Sequence, residues 1–205
     1  MKPIEKLILS SIYAASISDK THVEIIKEKG GITEEIIDLK IDECIANQLV
    51  NEDRKTLTEL GRTSLKVVLA GGVFDIIHPG HIYTLNSARD LGDVLVVAIA
   101  TDKTAEKMKK RIPLHNQDQR KMLVDALSIV DVSVVGNEED IFKTVDFIRP
   151  QIIALGYDQV HQEKFITEGC KKINLDVTVA RLQSPIPEVS SSIIEKKYGE
   201  NLHGI

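Results

Sequence analysis

Hydrophobic positions along the chain follow two different rhythms, and the change falls near residue 65. In the first segment Ile4, Leu7, Ile8, Ile12 and Ala15 recur at the spacing of one helical face. A second, shorter helix is predicted from Thr21, with Val23 and Ile26 inward and a stop at Gly30-Gly31. Thr33, followed by Glu34-Glu35, predicts the cap of a third helix whose apolar positions are Ile36, Ile37, Ile41, Ile45 and Leu49. The turn-forming cluster Asn51 to Lys55 and the alternating run Thr56-Leu57-Thr58 then predict a short β-hairpin.

From Leu65 short apolar runs alternate with helical stretches. Lys66 to Ala70, closed by Gly71-Gly72, reads as a strand, as do 93–100, 132–135, 151–155 and 176–180. Helical patterns lie between them near 80–91, 117–128, 138–148 and 162–173. Near-continuous apolar strands separated by helices predict an α/β fold, a Rossmann-like parallel sheet with helices on both faces. The expected division is therefore a small, mainly α domain over 1–64 and an α/β domain over 65–205. In such sheets ligands bind beyond the carboxyl ends of the strands, which is where the polar motifs of this chain fall.

Composition narrows the function classes. Hydrophobic residues make up 42% and charged residues 28% of the 205, enough apolar material for a real core. Aromatics are 4%, Trp is absent and the net charge is −5, all of which disfavour a nucleic-acid platform. Cys44 and Cys170 have neither zinc-site nor disulfide-framework spacing. No apolar run approaches the roughly 20 residues of a membrane span, and the first residues carry no secretory pattern, so a cytoplasmic location is expected.

One segment carries the chemistry. Directly after the first strand stand Gly71-Gly72-Val73-Phe74-Asp75-Ile76-Ile77-His78-Pro79-Gly80-His81. Paired glycines allow backbone N–H groups to approach an anion closely. His78 and His81 flank Pro79-Gly80 at a predicted helix N-terminus, whose unpaired N–H groups and positive dipole end suit a phosphate. Two imidazoles there can donate to a phosphoryl group as its oxygens gain charge. A metal site is the competing reading, but no Cys or further His adjoins the pair.

This run, with the βα unit that follows it, resembles the HxGH signature of the cytidylyltransferase-like nucleotidyltransferases, written GxFDxxHxGH, and the likeness extends over most of 66–198. The resemblance implies a nucleotidyltransferase in which His78 and His81 are catalytic. It also places Gly72, Val73, Phe74 and Gly80 among the nucleotide-binding positions. The Phe74 ring itself is expected to pack beneath the loop, and Asp75 to hold the turn. The family often has Thr where this chain has Val73, which removes a hydroxyl contact.

The resemblance also assigns residues downstream. Lys107, Lys109, Lys110 and Arg111 form a basic cluster, which on residue pattern alone is a solvated helix face. Asn116-Gln117-Asp118-Gln119-Arg120 follows at the spacing of the family's second motif, implying a phosphate clamp from Lys109, Arg111 and Arg120. Gly156, at a strand end, allows a base or ribose to approach, with Asp158 and Gln159 as hydrogen-bonding partners; a plain strand-to-helix turn is the alternative. Val189-Ser190-Ser191-Ser192-Ile193-Ile194 is similar to the family's I-S-[ST]-[ST]-x-I stretch, implying phosphate contacts from Ser191 and Ser192. A serine N-cap would explain one of them without any ligand. Arg181 stands too far upstream to be assigned.

Over 150–159 the chain looks closest to the archaeal FAD synthase family, implying ATP as nucleotide and FMN as acceptor. CTP with glycerol 3-phosphate or another polyol phosphate is the alternative. Mg²⁺ carried mainly by the nucleotide phosphates is the implied cofactor, no dedicated protein metal site is expected, and a homodimer is allowed. The first 64 residues resemble a winged helix-turn-helix, which raises a second alternative, a nucleotide-sensing DNA-binding regulator. Their net charge is −3, and the presumed recognition helix carries Glu34, Glu35, Asp38, Asp42 and Glu43 against Lys40. Acidic side chains repel phosphates, so a packing, dimerisation or regulatory module is expected ahead of a DNA reader.

Overall fold

The computed structural model describes residues 2–156, 159–183 and 194. Three helices open the chain: α1 (Pro3–Ser16), α2 (His22–Gly30) and α3 (Glu34–Ala46). The Thr21/Glu24 capping box starts α2, and Gly31 ends it in the left-handed region at φ 55°. Thr33 occupies the N-cap of α3, but its side chain makes none of the expected capping bonds. The predicted hairpin reduces to one antiparallel bridge, Val50 with Leu57. The chain then turns at Thr58, whose hydroxyl accepts from Gly61 N, into the short helix α4 (Glu59–Thr63).

Five strands follow: β1 (Val67–Gly72), β2 (Val94–Ile99), β3 (Val132–Val135), β4 (Ile152–Leu155) and β5 (Thr178–Arg181). All neighbouring pairs are parallel, in the order β3-β2-β1-β4-β5. Strand β1 does not stop before the glycines; Gly71 and Gly72 pair with Ala98 and Ile99 of β2. Helices α5 (Pro79–Arg89) and α7 (Gln117–Asp125) cover one face, with Leu85, Ala88 and Val124 packed on Val68, Leu95 and Val97. Helices α8 (Ile141–Ile148) and α9 (Glu163–Lys172) cover the other, through Val145, Ile148, Ile166 and Cys170. Between β2 and α7 runs α6 (Asp102–Lys109), which the apolar pattern did not predict because Ala105 is its one buried residue. Helix α8 starts later than expected because Asn137 Oδ1 accepts from the Glu139 and Asp140 amides and Asp140 caps Phe142 N.

The first 64 residues share a core with the sheet. Ile8, Ile12, Ile26, Ile37 and Ile41 belong to the same apolar cluster as Val67, Val94, Val132 and Ile153. Polar contacts fasten this segment near the amino ends of the strands. Lys6 pairs with Asp93 and Lys29 with Asp131, just before β2 and β3. The Tyr13 hydroxyl donates to Ile148 O at 2.8 Å, and Arg62 donates to Arg149 O at 2.5 Å while lying over the Tyr13 ring. Among the described residues no helix is long and apolar enough to cross a membrane.

A shared core predicts shared unfolding. Ile12→Ala is expected to cost about 2–5 kcal/mol by leaving a cavity among fully buried neighbours. Denaturant unfolding followed by far-UV circular dichroism should move as one transition; a separate early step for the N-terminal helices would contradict the shared core.

Candidate active site

The site is built where β1 runs out. His78 is the N-cap of α5, Pro79 is its first residue, and Gly80 and His81 complete the first turn. Proline suits that position because its missing N–H has no partner to lose there. This geometry stacks the two imidazoles with ring centroids 3.9 Å apart at the positive end of the helix. Phe74 packs against His81 at 5.1 Å and is itself buried in the core. It holds φ 54°, a conformation that a bulky side chain rarely adopts and that costs on the order of 1–3 kcal/mol. Gly72 matters for the same reason: a Cβ there would meet the Phe74 ring at 2.8 Å. Gly72 thus has a packing reason of its own, making room for an aromatic ring, beside the close approach of an anion read from the sequence.

The electrostatics of the pair follow from burial. His81 is pushed down from 6.5 to about 4, first by desolvation and then by His78 and Lys109, with the Ile76 backbone acting the other way. His78 is lowered by burial and by Lys109. In the free site near pH 7 both rings are therefore neutral, each carrying a single ring N–H. Lys109 ends α6, is half-buried and lies near enough for its charge to reach both rings. At His81 the Ile76 backbone engages the ring, whereas the buried Nδ1 of His78 has no hydrogen-bond partner among the described residues.

Arg120 is not where a clamp would stand. It is 0% exposed, and its guanidinium donates to Val73 O at 2.7 Å, His115 O at 3.0 Å and Asp102 Oδ1 at 2.8 Å. A side chain sealed in this way cannot reach a phosphate in a cleft, so that expectation is replaced by an internal strut. Arg111 pairs with the buried Asp75 carboxylate at 2.8 Å and donates to Ile112 O. Asp75 also accepts from His115 N at 3.1 Å, which gives it the turn-holding part read from the sequence. Val73 is buried, and its carbonyl is the one taken by Arg120.

At the end of β4, Gly156 N donates to Gln159 Oε1 and Gln159 N donates to Gly156 O, closing a turn. The Gln159 carbonyl oxygen is thereby committed and its amide NH₂ is the part left for a ligand. Asp158, Ser191 and Ser192 lie outside the described residues, and Arg181 is exposed at the end of β5.

Sequence reasoning missed a cavity of about 560 Å³ over the carboxyl ends of β1, β2 and β4. Its walls are largely apolar: Leu69, Ala98, Ile99, Met108, Ile141, Val145, Ile153, Phe165 and Ile166, with Thr104, Asn137, Thr144, Gln159 and Gln162 among its polar members. Gly71 and Gly72 also line it, so the strand that carries the histidine loop forms one side of the cavity. Because β1, β2, β4, α6, α8 and α9 all contribute, no contiguous run of residues could have signalled it. A second hollow, lined by Ile77, His78, Pro79, Ile82, Tyr83 and Asn86, lies on the outer side of the pair. Among the described residues no three His, Cys, Asp or Glu converge as a metal site.

Comparison with known proteins agrees with this geometry. Residues 69–197 match the cytidylyltransferase-like family. A protein named FAD synthase from Aciduliprofundum boonei is 46% identical over 134 residues, spanning 65% of this chain and 80% of its own. One of the same name from Methanosarcina barkeri is 41% identical over 138 residues, 64% of this chain and 98% of its own. A crystal structure described as a lipopolysaccharide core biosynthesis protein from Thermoplasma volcanium superposes with a TM-score of 0.56 at 39% identity. It covers 58% of this chain and 98% of that one.

The depressed histidine predicts an acid-limb signature. Between about pH 6.5 and 4 the unfolded chain takes up a proton that folded His81 refuses, so stability falls as pH drops through that window. The loss is on the order of 3 kcal/mol for His81. Urea unfolding at steps from pH 7 to 4 should show a smaller loss for His81→Gln than for the parent chain, and equal losses would contradict the buried, neutral ring.

Proposed function

The chain belongs to the cytidylyltransferase-like nucleotidyltransferases, and from that premise we propose that it is an FMN adenylyltransferase, forming FAD and pyrophosphate from ATP and FMN. The observation that carries the choice of acceptor is the apolar cavity beside the histidine loop. Its volume is in the range of small-molecule sites, and its aliphatic and aromatic walls suit a planar fused ring. A glycerol phosphate would bury its hydroxyls there against surfaces that offer them few partners. The naming of the archaeal relatives supports the same reading.

The reaction needs little covalent help from the protein. The FMN phosphate is already ionised, so its oxygen attacks the α-phosphorus without a general base. The bond from that phosphorus to the α,β-bridging oxygen breaks, and pyrophosphate leaves with the electron pair. The protein's work is in-line positioning and stabilisation of the charge that builds on the α-phosphate oxygens. His78 and His81 supply N–H donors from the α5 terminus, and Lys109 supplies a point charge beside them. Gly156 and the free amide of Gln159 are suited to the base or ribose, and Gly80, buried in the first turn of α5, keeps that turn slim. Asp158, Ser191 and Ser192 keep the phosphate and base roles that the family resemblance gives them.

Mg²⁺ would be carried by the triphosphate and water, as such hard cations commonly are in phosphoryl-transfer sites. When bound it would neutralise part of the triphosphate charge. The first 64 residues are read as a packing domain for 65–205. Arg54, one of the two cations of the expected wing beside Lys55, is engaged with Asp38 and Asp42 of α3, which disfavours a DNA-reading role.

Three measurements check this reading. FAD should form from FMN and ATP with one pyrophosphate released per turnover, whereas turnover of glycerol 3-phosphate with CTP in preference would overturn it. His81→Ala should lower kcat by roughly a hundredfold or more with little loss of fold, and full activity would remove the catalytic role. Ala98→Leu, which fills part of the cavity, should raise the KM for FMN by about tenfold or more while sparing ATP affinity. Unchanged FMN kinetics would place the acceptor elsewhere.

A further inference from the structure

We propose that Arg120 is a positioning residue that sets the peptide between Val73 and Phe74, so that the Phe74 N–H is presented as a donor to a nucleotide phosphate. The proposal rests on the nucleotidyl-transfer reading for the identity of that anion. Its geometry stands on the free protein alone.

Three observations meet at this guanidinium. In a trans peptide the carbonyl and the following N–H point in opposite directions. The Val73 carbonyl is drawn to Arg120 at 2.7 Å, on the buried side of the loop. The Phe74 N–H therefore points away from that buried cation, and among the described residues it finds no acceptor. The positive φ of Phe74 is the second observation. An αL residue inside a loop turns successive amides towards one side, the arrangement that forms an anion-binding concavity. Nothing about a Phe favours that conformation, so its surroundings must impose it, and the Arg120 bond to the adjacent carbonyl acts directly on the strained unit.

The third observation is what else Arg120 holds. One arm bonds Asp102 at the start of α6, the helix whose far end carries Lys109. Another bonds His115 O, in the segment that Asp75 grips through the His115 amide and through Arg111. One planar cation thus joins the histidine loop to both segments that bring positive charge towards it. The three acceptors lie in different directions, which a guanidinium can satisfy and an ammonium on a flexible stem cannot.

The test uses Arg120→Lys and Arg120→Met, with Asp102→Asn as a milder variant should the others fold poorly. Amide hydrogen exchange is measured on the free protein over 111–116, and kcat and KM are measured for ATP. Both Arg120 variants are expected to exchange at least about tenfold faster in that segment, with the strands unchanged. They are also expected to lose kcat by about a hundredfold, with KM for ATP altered by less than about fivefold. Asp102→Asn should show the same pattern at smaller amplitude. If Arg120→Lys keeps near-parental turnover, or exchange is unchanged and the loss sits in ATP affinity, then Arg120 works as a phosphate contact and the proposal is overturned. Should the parent chain make no FAD at all, the function reading fails, while the exchange arm still decides the role of Arg120.

Discussion

Two imidazoles held 3.9 Å apart at the first turn of α5 are what the rest of the site is arranged around. Stacked so closely, the rings would repel one another if both were charged, and burial and Lys109 both push them towards neutrality. The result is a pocket rich in N–H donors and short of negative charge, sited on a helix dipole. Such a place is poorly satisfied until an anion arrives, and a transition state gaining charge on phosphoryl oxygens satisfies it better than a ground state does. The Phe74 ring under His81, the glycine that makes room for that ring and the Arg120 strut beneath the loop all act on this one arrangement.

The scaffold separates holding from binding. Ion pairs and side-chain to backbone bonds at Asp93, Asp131 and Gln151 tie the amino ends of the strands to one another and to the first 64 residues. The apolar core runs without a break from α1 to the sheet. At the opposite end stand Gly71-Gly72 closing β1, Thr101 after β2, Asn137 after β3 and Gly156 after β4. A sheet fixed firmly at one edge can carry a strained residue such as Phe74 at the other, because the strain is offset by packing elsewhere.

The strands, the covering helices and the histidine motif were legible because each leaves a local pattern: an apolar run, a 3.6-residue period, or a run of residues with one chemical purpose. Helix α6 was illegible for the opposite reason, since it buries Ala105 alone and shows charge outward. Arg120 misled because an arginine in a polar stretch reads as solvent-facing or ligand-facing. Its burial depends on three oxygens supplied by residues as far away as Val73. The Val50–Leu57 bridge carried the right turn residues but too little pairing to make a ribbon. The cavity was hidden because its walls come from elements scattered between residues 69 and 166.

The central claim is that neutral His78 and His81 face the nucleotide's α-phosphate as donors, and ring ¹⁵N NMR of the two histidines observes it directly. The account predicts that both rings are neutral in the free protein at pH 7 and that both sets of ring resonances move when ATP with Mg²⁺ is added. Rings that titrate near 6.5 in the free protein, or that stay fixed while ATP perturbs other residues, would contradict it.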